Sequence, residues 1–179
     1  MREIFKPAFS LLLICVVITF FVGLTYNITK DTIKHRELEE LNAAMSEVLP
    51  EGKTFKEITN DFEDAYDAVK VSGVYESEAG MVFSLITSGY GGNVAVIIGI
   101  ANDGTISGVR LGANTETPSL GKQAEEPFFT SRFNKIAVNA NIDDSVDSIS
   151  GVTITSTAVK KAVQAACNQY NQLKGGAGN

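Results

Sequence analysis

Histidine occurs once in these 179 residues, as His35, and cysteine twice, as Cys15 and Cys167. A Ser-His-Asp triad or a multi-histidine metal site therefore has no material here. The two cysteines stand far apart, without a CxxC pair or a Cys/His cluster, which excludes the ligand set of a structural zinc or iron–sulfur centre. Basic residues are also short: 15 Lys and Arg face 21 Asp and Glu, for a formal net charge of −6 and a sequence pI near 4.8. A nucleic-acid binder needs a cationic face to displace counterions from phosphates, so nucleic acid is not expected as a partner.

Apolar residues are plentiful, at 44%, too many for a disordered chain. The length suits one conventional core plus an apolar segment, not a multi-domain enzyme. That segment is easily located. No charged side chain occurs from Pro7 through Thr29, and Ala8 to Tyr26 is almost continuously apolar. At ~1.5 Å per residue its roughly 19 positions make a helix of about 28 Å, matching the ~30 Å hydrocarbon core of a bilayer. Tyr26 falls where an interfacial aromatic would sit. The run exceeds the ~7–15 residues of a secretory h-region and no A-x-A-like cleavage site follows it, so an uncleaved single-pass membrane anchor is expected. Arg2 and Lys6 precede the span while Lys30, Lys34 and Arg36 follow it, and this balance leaves the orientation open. Beyond residue 35 the chain carries 11 basic and 19 acidic residues, a net charge of −8 that would repel an anionic leaflet.

Asp31 to Leu49 places Ile33, Leu38, Leu41, Ala44, Met45 and Val48 at three- and four-residue spacings, predicting an amphipathic helix stopped by Pro50 and Gly52. His35 reads as a solvated residue of that helix. Residues 52–79 give mixed signals, with an acidic, partly helical stretch at 61–67 and a strand at 69–74. Met81–Ile86, Asn93–Ala101 and Thr105–Leu111 are β-branched runs, and Asn102-Asp103-Gly104 is a tight-turn signal, so an antiparallel meander is expected. Leu120–Glu125 suggests a short helix, Phe128 and Phe129 a pair of core aromatics, and Ile142–Ile149 a further strand. From Ser156 to Leu173, Ala158, Val159, Ala162, Val163, Ala166, Cys167 and Tyr170 form one apolar stripe of a closing helix. The expected fold is α+β: a twisted, mainly antiparallel sheet flanked by helices, with one N-terminal transmembrane helix. In residue terms this gives an N-terminus at 1–7, a span at 8–28, a linker helix at 29–50, a cofactor-bearing domain at 51–174 and a frayed tail at 175–179.

Two strings carry chemistry. The first, Asp147-Ser148-Ile149-Ser150-Gly151-Val152-Thr153-Ile154-Thr155-Ser156, leads into the closing helix. A glycine followed by hydroxyl residues at a helix N-terminus offers backbone N–H donors, side-chain donors and the positive end of the helix dipole, a set suited to phosphate. The plainer alternative is that Thr155 or Ser156 only caps the helix. The second string, Leu111 to Gly121, contains Glu116-Thr117-Pro118-Ser119-Leu120-Gly121 and by itself reads as a loop.

In this order, strand, Asn-Asp-Gly turn, strand, Glu-Thr-Pro-Ser-Leu-Gly and then Asp-x-x-Ser-Gly-Val-Thr before a helix, the chain resembles the FMN-binding domain family. The likeness is to the G subunit of Rnf-type ion-translocating ferredoxin:NAD oxidoreductases, with the C subunit of the sodium-pumping NADH:quinone reductase as a relative. It covers about Tyr90 to Tyr170 by motif and the whole chain by layout. The resemblance implies FMN esterified through its phosphate to Thr153, with Ser150, Gly151, Val152, Thr155 and Ser156 around the phosphate. Glu116, Thr117, Leu120 and Gly121 would lie near the isoalloxazine ring. A threonine hydroxyl is a weak nucleophile near neutral pH. The resemblance therefore implies a magnesium-dependent flavin transferase, reading Asp147, Ser150 and Gly151, as a partner in maturation. It further implies an electron-relay subunit of a membrane complex, not catalytic alone and holding no metal, with its flavin domain outside the cytoplasm. The span holds no ionisable residue to conduct ions. Val152 stands where the family usually has Ala, and Ser119 where it often has Gly. The alternatives are a flavin module of another extracytoplasmic reductase, a non-covalent flavin binder, and a structural protein whose hydroxyls only cap a helix.

Overall fold

A computed structural model describes residues 2–58 and 69–175. The acidic stretch expected at 61–67 and most of the glycine-rich tail lie outside the described residues. The chain divides into two compact units, residues 1–40 and 41–179.

The first unit is helical and forms most of α1 (Arg2–Val48). Leu11–Lys30 has a mean hydropathy of 2.4 and none of it is buried, so by length and composition it can cross a membrane. Two of its hydroxyls are absorbed by the helix itself: Thr25 Oγ1 donates to the Phe21 carbonyl and Thr29 Oγ1 to the Thr25 carbonyl, each at 2.8 Å. Such back-bonding removes the cost of a bare hydroxyl in hydrocarbon.

The second unit is built on a five-stranded antiparallel sheet in the order β1 (Lys56–Glu57), β2 (Lys70–Ser77), β3 (Gly80–Ser88), β4 (Asn93–Ala101) and β5 (Ile106–Asn114). This is the expected three-stranded meander, extended by β2, which matches the strand expected at 69–74, and by β1. Alternation sends Phe83, Leu85, Val96, Ile98 and Ile100 to one face, where they are fully buried with Val159, Ala162, Val163, Ala166 and Cys167 of α4 (Thr153–Gly175). The opposite face gives up Val82 and Ile97 to Ala44, Met45, Val48 and Leu49. The sheet is thus covered on both sides, and each fully buried large apolar side chain contributes roughly 1.5–3 kcal/mol. Of the stripe expected in 31–49, burial begins only near Leu41; Ile33 and Leu38 are exposed. Ser107 Oγ donates to the Val48 carbonyl and Arg110 pairs with Glu47, fastening these last turns of α1 to β5.

The turn after β4 is closed by Asp103, whose Oδ1 accepts from Thr105 Oγ1 at 2.7 Å and from the Thr105 amide at 2.9 Å. Those two bonds hold the carboxyl below its ordinary range, the hydroxyl bond foremost.

Three expectations need correction. Ile142–Ile149 is not a strand: Asn141 accepts the Asp143 amide at 3.1 Å and caps α3 (Ile142–Ser145). Ile142 and Val146 are buried four residues apart, a spacing that suits a helical turn as well as a strand. The edge of β5 is meanwhile occupied by residues 135–137: the Ile106 amide donates to the Ile136 carbonyl and Lys135 to that of Ile106. Phe128 and Phe129 also part company. Phe129 is buried edge-on against Phe133, at 5.3 Å between centroids, while Phe128 is half exposed beneath the Arg132 guanidinium. Finally, α4 begins at Thr153, three residues before the expected start, which places Thr155 and Ser156 inside its first turn.

Candidate functional site

Three loops meet at one end of the sheet. The β3–β4 turn (residues 89–92) is closed by the Gly89 amide donating to the Gly92 carbonyl at 2.8 Å. The segment after β5 is sewn to it twice: Thr115 Oγ1 donates to the Gly91 carbonyl at 2.8 Å, and the Gly91 amide to Glu116 Oε1 at 3.1 Å. Glu116 is buried, and its Oε2 has no hydrogen-bond partner among the described residues. Gly89 and Gly121 lie against its two oxygens, and a Cβ at either would collide with the carboxylate. The glycine at 121 thus makes room for the acid at 116.

Beyond Glu116 the chain turns through Pro118 and Ser119. Ser119 adopts a φ of 66°, where a side chain is strained and glycine is not, which gives a physical reason for the glycine often found there in the family it resembles. The Leu120 amide then donates to the Thr117 carbonyl at 3.2 Å, and Gln123 Nε2 to the Ser119 carbonyl at 2.7 Å.

The third loop leads into α4. Gly151 has a φ of 81°, and the Val152 amide closes a turn onto the Ile149 carbonyl at 3.0 Å. Ser156 secures this bend from below, its Oγ donating to the Val152 carbonyl at 2.9 Å and accepting the Ile149 amide at 3.1 Å. The result is that Thr153 stands exposed as the first residue of α4, at the positive end of a 23-residue helix.

Between the loops lies an open cavity of about 430 Å³ lined by Tyr90, Thr117, Leu120, Gly121, Gly151, Val152, Thr153, Ile154 and Thr155. Its volume falls within the roughly 300–1,000 Å³ of small-molecule sites. No Asp, Glu, Lys or Arg is among these residues. The chemistry offered is a largely apolar slot with the exposed hydroxyls of Tyr90, Thr117 and Thr153 around it and helix amides behind Thr153, which fits a flat, largely apolar ring carrying a phosphate. The two strings, about thirty residues apart in the chain, are thereby brought together.

Of the residues singled out in the sequence, Thr117, Leu120, Gly121, Gly151, Val152, Thr153 and Thr155 line this cavity. Glu116 lies behind the wall, Ser156 is buried with its hydroxyl engaged in the loop, and Ser150 and Asp147 are exposed outside the lining. Tyr90 and Ile154, both largely exposed in the lining, are additions. An aromatic set in Gly89-Tyr90-Gly91-Gly92, unable to bury itself on so tight a turn, was the available signal for the first.

Two regions of the chain match known families. Residues 89–168 match the FMN-binding domain family, and the cavity lies wholly within them. Residues 1–48 match the RnfG N-terminal region. The chain is 30% identical to the G subunit of the ion-translocating oxidoreductase complex of Vibrio atlanticus over 178 residues, covering 86% of this chain and 84% of that one. It is 29% identical to the corresponding G subunit of Methanosarcina acetivorans, covering 97% and 98%. The crystal structure of Shewanella oneidensis NqrC matches with a TM-score of 0.49 and 20% identity over 70% of each chain. The protein carries an FMN-binding domain. It belongs to the family of G subunits of Rnf-type ion-translocating oxidoreductase complexes, as the expected resemblance implied.

Proposed function

We propose that this chain carries FMN as a phosphoester on Thr153 and relays electrons within a membrane complex, its flavin domain standing on the extracytoplasmic side. The supporting observation is the placement of Thr153: an exposed hydroxyl on the first turn of a long helix, at the lip of an apolar cavity. The flavin, when bound, supplies the electron-transfer chemistry.

The chain's own residues do the rest. Gly151 and Ser156 present the hydroxyl, Leu120, Val152 and Ile154 exclude water, and Thr117 offers a hydroxyl at the polar edge. Nothing lining the cavity can serve as a base toward Thr153, so attachment is the work of a flavin transferase acting on FAD. In that step a pyrophosphate P–O bond breaks, a bond forms between phosphorus and Thr153 Oγ, and AMP departs with the bridging oxygen. The hydroxyl proton passes to a base on the transferase. Asp147 and Ser150, exposed beside the bend, are the handles such an enzyme would read. A covalent tether has a purpose outside the cytoplasm, where a lost flavin could not be replaced. The span from Leu11 anchors the domain in the membrane beside the other subunits.

The test is production of the full chain with a flavin transferase. The purified protein is expected to keep ultraviolet fluorescence through a denaturing gel, and Thr153→Ala to lose it while changing stability by no more than about 0.5 kcal/mol, as for other surface substitutions. Fluorescence retained in Thr153→Ala would falsify the acceptor assignment, and colour released on denaturation would mean a non-covalent site.

A further inference from the structure

Thr153 borders two cavities. On its other side a second space of about 420 Å³ is bounded by Thr87 and Ser88 at the end of β3 and by Thr157 and Lys161 of α4, with Thr153 and Ile154 common to both. The two differ in chemistry. Both linings carry hydroxyls, but the first has no charged side chain among its residues, whereas the second includes Lys161.

FMN divides in the same way, into an apolar tricyclic ring and a phosphate that keeps one negative charge as a diester. Thr153, Thr157 and Lys161 follow one another at intervals of four on α4, and so share a stripe of its surface. Helical side chains lean toward the N-terminus, and Lys161 lines the same cavity as Thr157 and Thr153, while also bordering a separate space with Asn141 and Asp143. Thr157 Oγ1 also lies 3.3 Å from Ser148 Oγ, which ties the bend below Thr153 to this stripe. The hydroxyls expected from the sequence to serve the phosphate are placed otherwise. Ser156 is buried and engaged with Val152 and Ile149, and Thr155 is buried in the wall of the first cavity.

Resting on the reading of Thr153 as the flavin acceptor, we propose that the second cavity is a phosphodiester site. Lys161 is the countercharge and Thr157 a hydrogen-bond partner of the diester. The ribityl chain crosses Ile154, the exposed apolar side chain shared by both cavities, and delivers the ring to the first.

Phosphorus-31 NMR of the flavinylated full chain in detergent tests this. Lys161→Gln is expected to move the diester resonance by more than its linewidth and Lys161→Arg to return it toward the parent position, with the visible flavin bands unchanged in both. Thr157→Val should move the same resonance without altering charge. Leu120→Ala should do the reverse, shifting the visible bands and leaving phosphorus in place. A resonance that stays at the parent position in both Lys161→Gln and Thr157→Val overturns the site. The mass of the peptide spanning residues 147–157 keeps the two readings separate. An unmodified peptide overturns the Thr153 assignment and this proposal with it, while a loaded peptide with an unmoved resonance overturns this proposal alone.

Discussion

Glu116 Oε1 accepts the Gly91 amide at 3.1 Å, and this bond joins the loop carrying Thr117 and Leu120 to the turn carrying Tyr90. Two walls of the cavity beside Thr153 are thus held by one buried carboxylate, whose second oxygen is accommodated only because residue 121 has no side chain.

Gly121→Ala is therefore expected to expel Glu116 and destabilise the domain by about 1–3 kcal/mol, the usual scale of overpacking. The double variant with Glu116→Ala should recover part of that loss, because the collision is then removed. Urea denaturation of the four species gives the coupling as a double-mutant cycle. Simple additivity of the two losses would show that the residues do not compete for one space.

Gly151 has open space where a Cβ would go but a φ of 81°, so its substitution is penalised by backbone conformation and not by crowding. Gly151→Ala should cost about 1–2 kcal/mol, the left-handed penalty of an L-residue, and Gly151→Asn less. Flavin loading should fall in the same order, with fluorescence per mole of protein as the measurement. Equal loading in all three would mean that the bend does not govern presentation of Thr153.

Ser156→Ala removes a fully buried hydroxyl that bridges the Ile149 amide and the Val152 carbonyl. The orphaned amide should cost about 1–3 kcal/mol. Hydrogen exchange is expected to accelerate at Ile149 and Val152 and to change little in the middle of α4.

Cys167 lies wholly within the core, and burial pushes its thiol from 9.0 up to about 12. Because the folded protein resists ionising a group that the unfolded chain ionises readily, the contribution of this thiol is intact below pH 9 and declines as pH rises toward 12, by up to about 1.4 kcal/mol per pH unit. Cys167→Ala should flatten that alkaline limb in denaturation curves. In the parent protein, alkylation of Cys167 at pH 8 should require unfolding.

The strands, the hydropathy of the span and the stripe of α4 were legible because each depends on neighbours in the chain: β-branched runs separated by glycine-containing turns for β3 to β5, nineteen uncharged positions, apolar residues every three or four. Residues 142–149 misled because four-residue spacing suits a strand or a turn of helix, and the choice fell to Asn141 as a cap and to a β5 edge already covered by residues 135–137. Phe128 and Phe129 are alike in sequence, and only the position of Phe133 decides which is buried.

The same division holds for the site. Sequence by itself determined the hydroxyl-rich bend before the last helix, the second loop string and their membership of one family, since these are properties of residue type and order. Tertiary structure alone decided that Tyr90 joins them, that Glu116 and Ser156 serve as struts behind the surface, and that Thr153 borders two cavities, of which only the second has a charged residue in its lining. Those facts follow from which long-range contacts form and which side chains they shield from water, and spacing along the chain does not encode either.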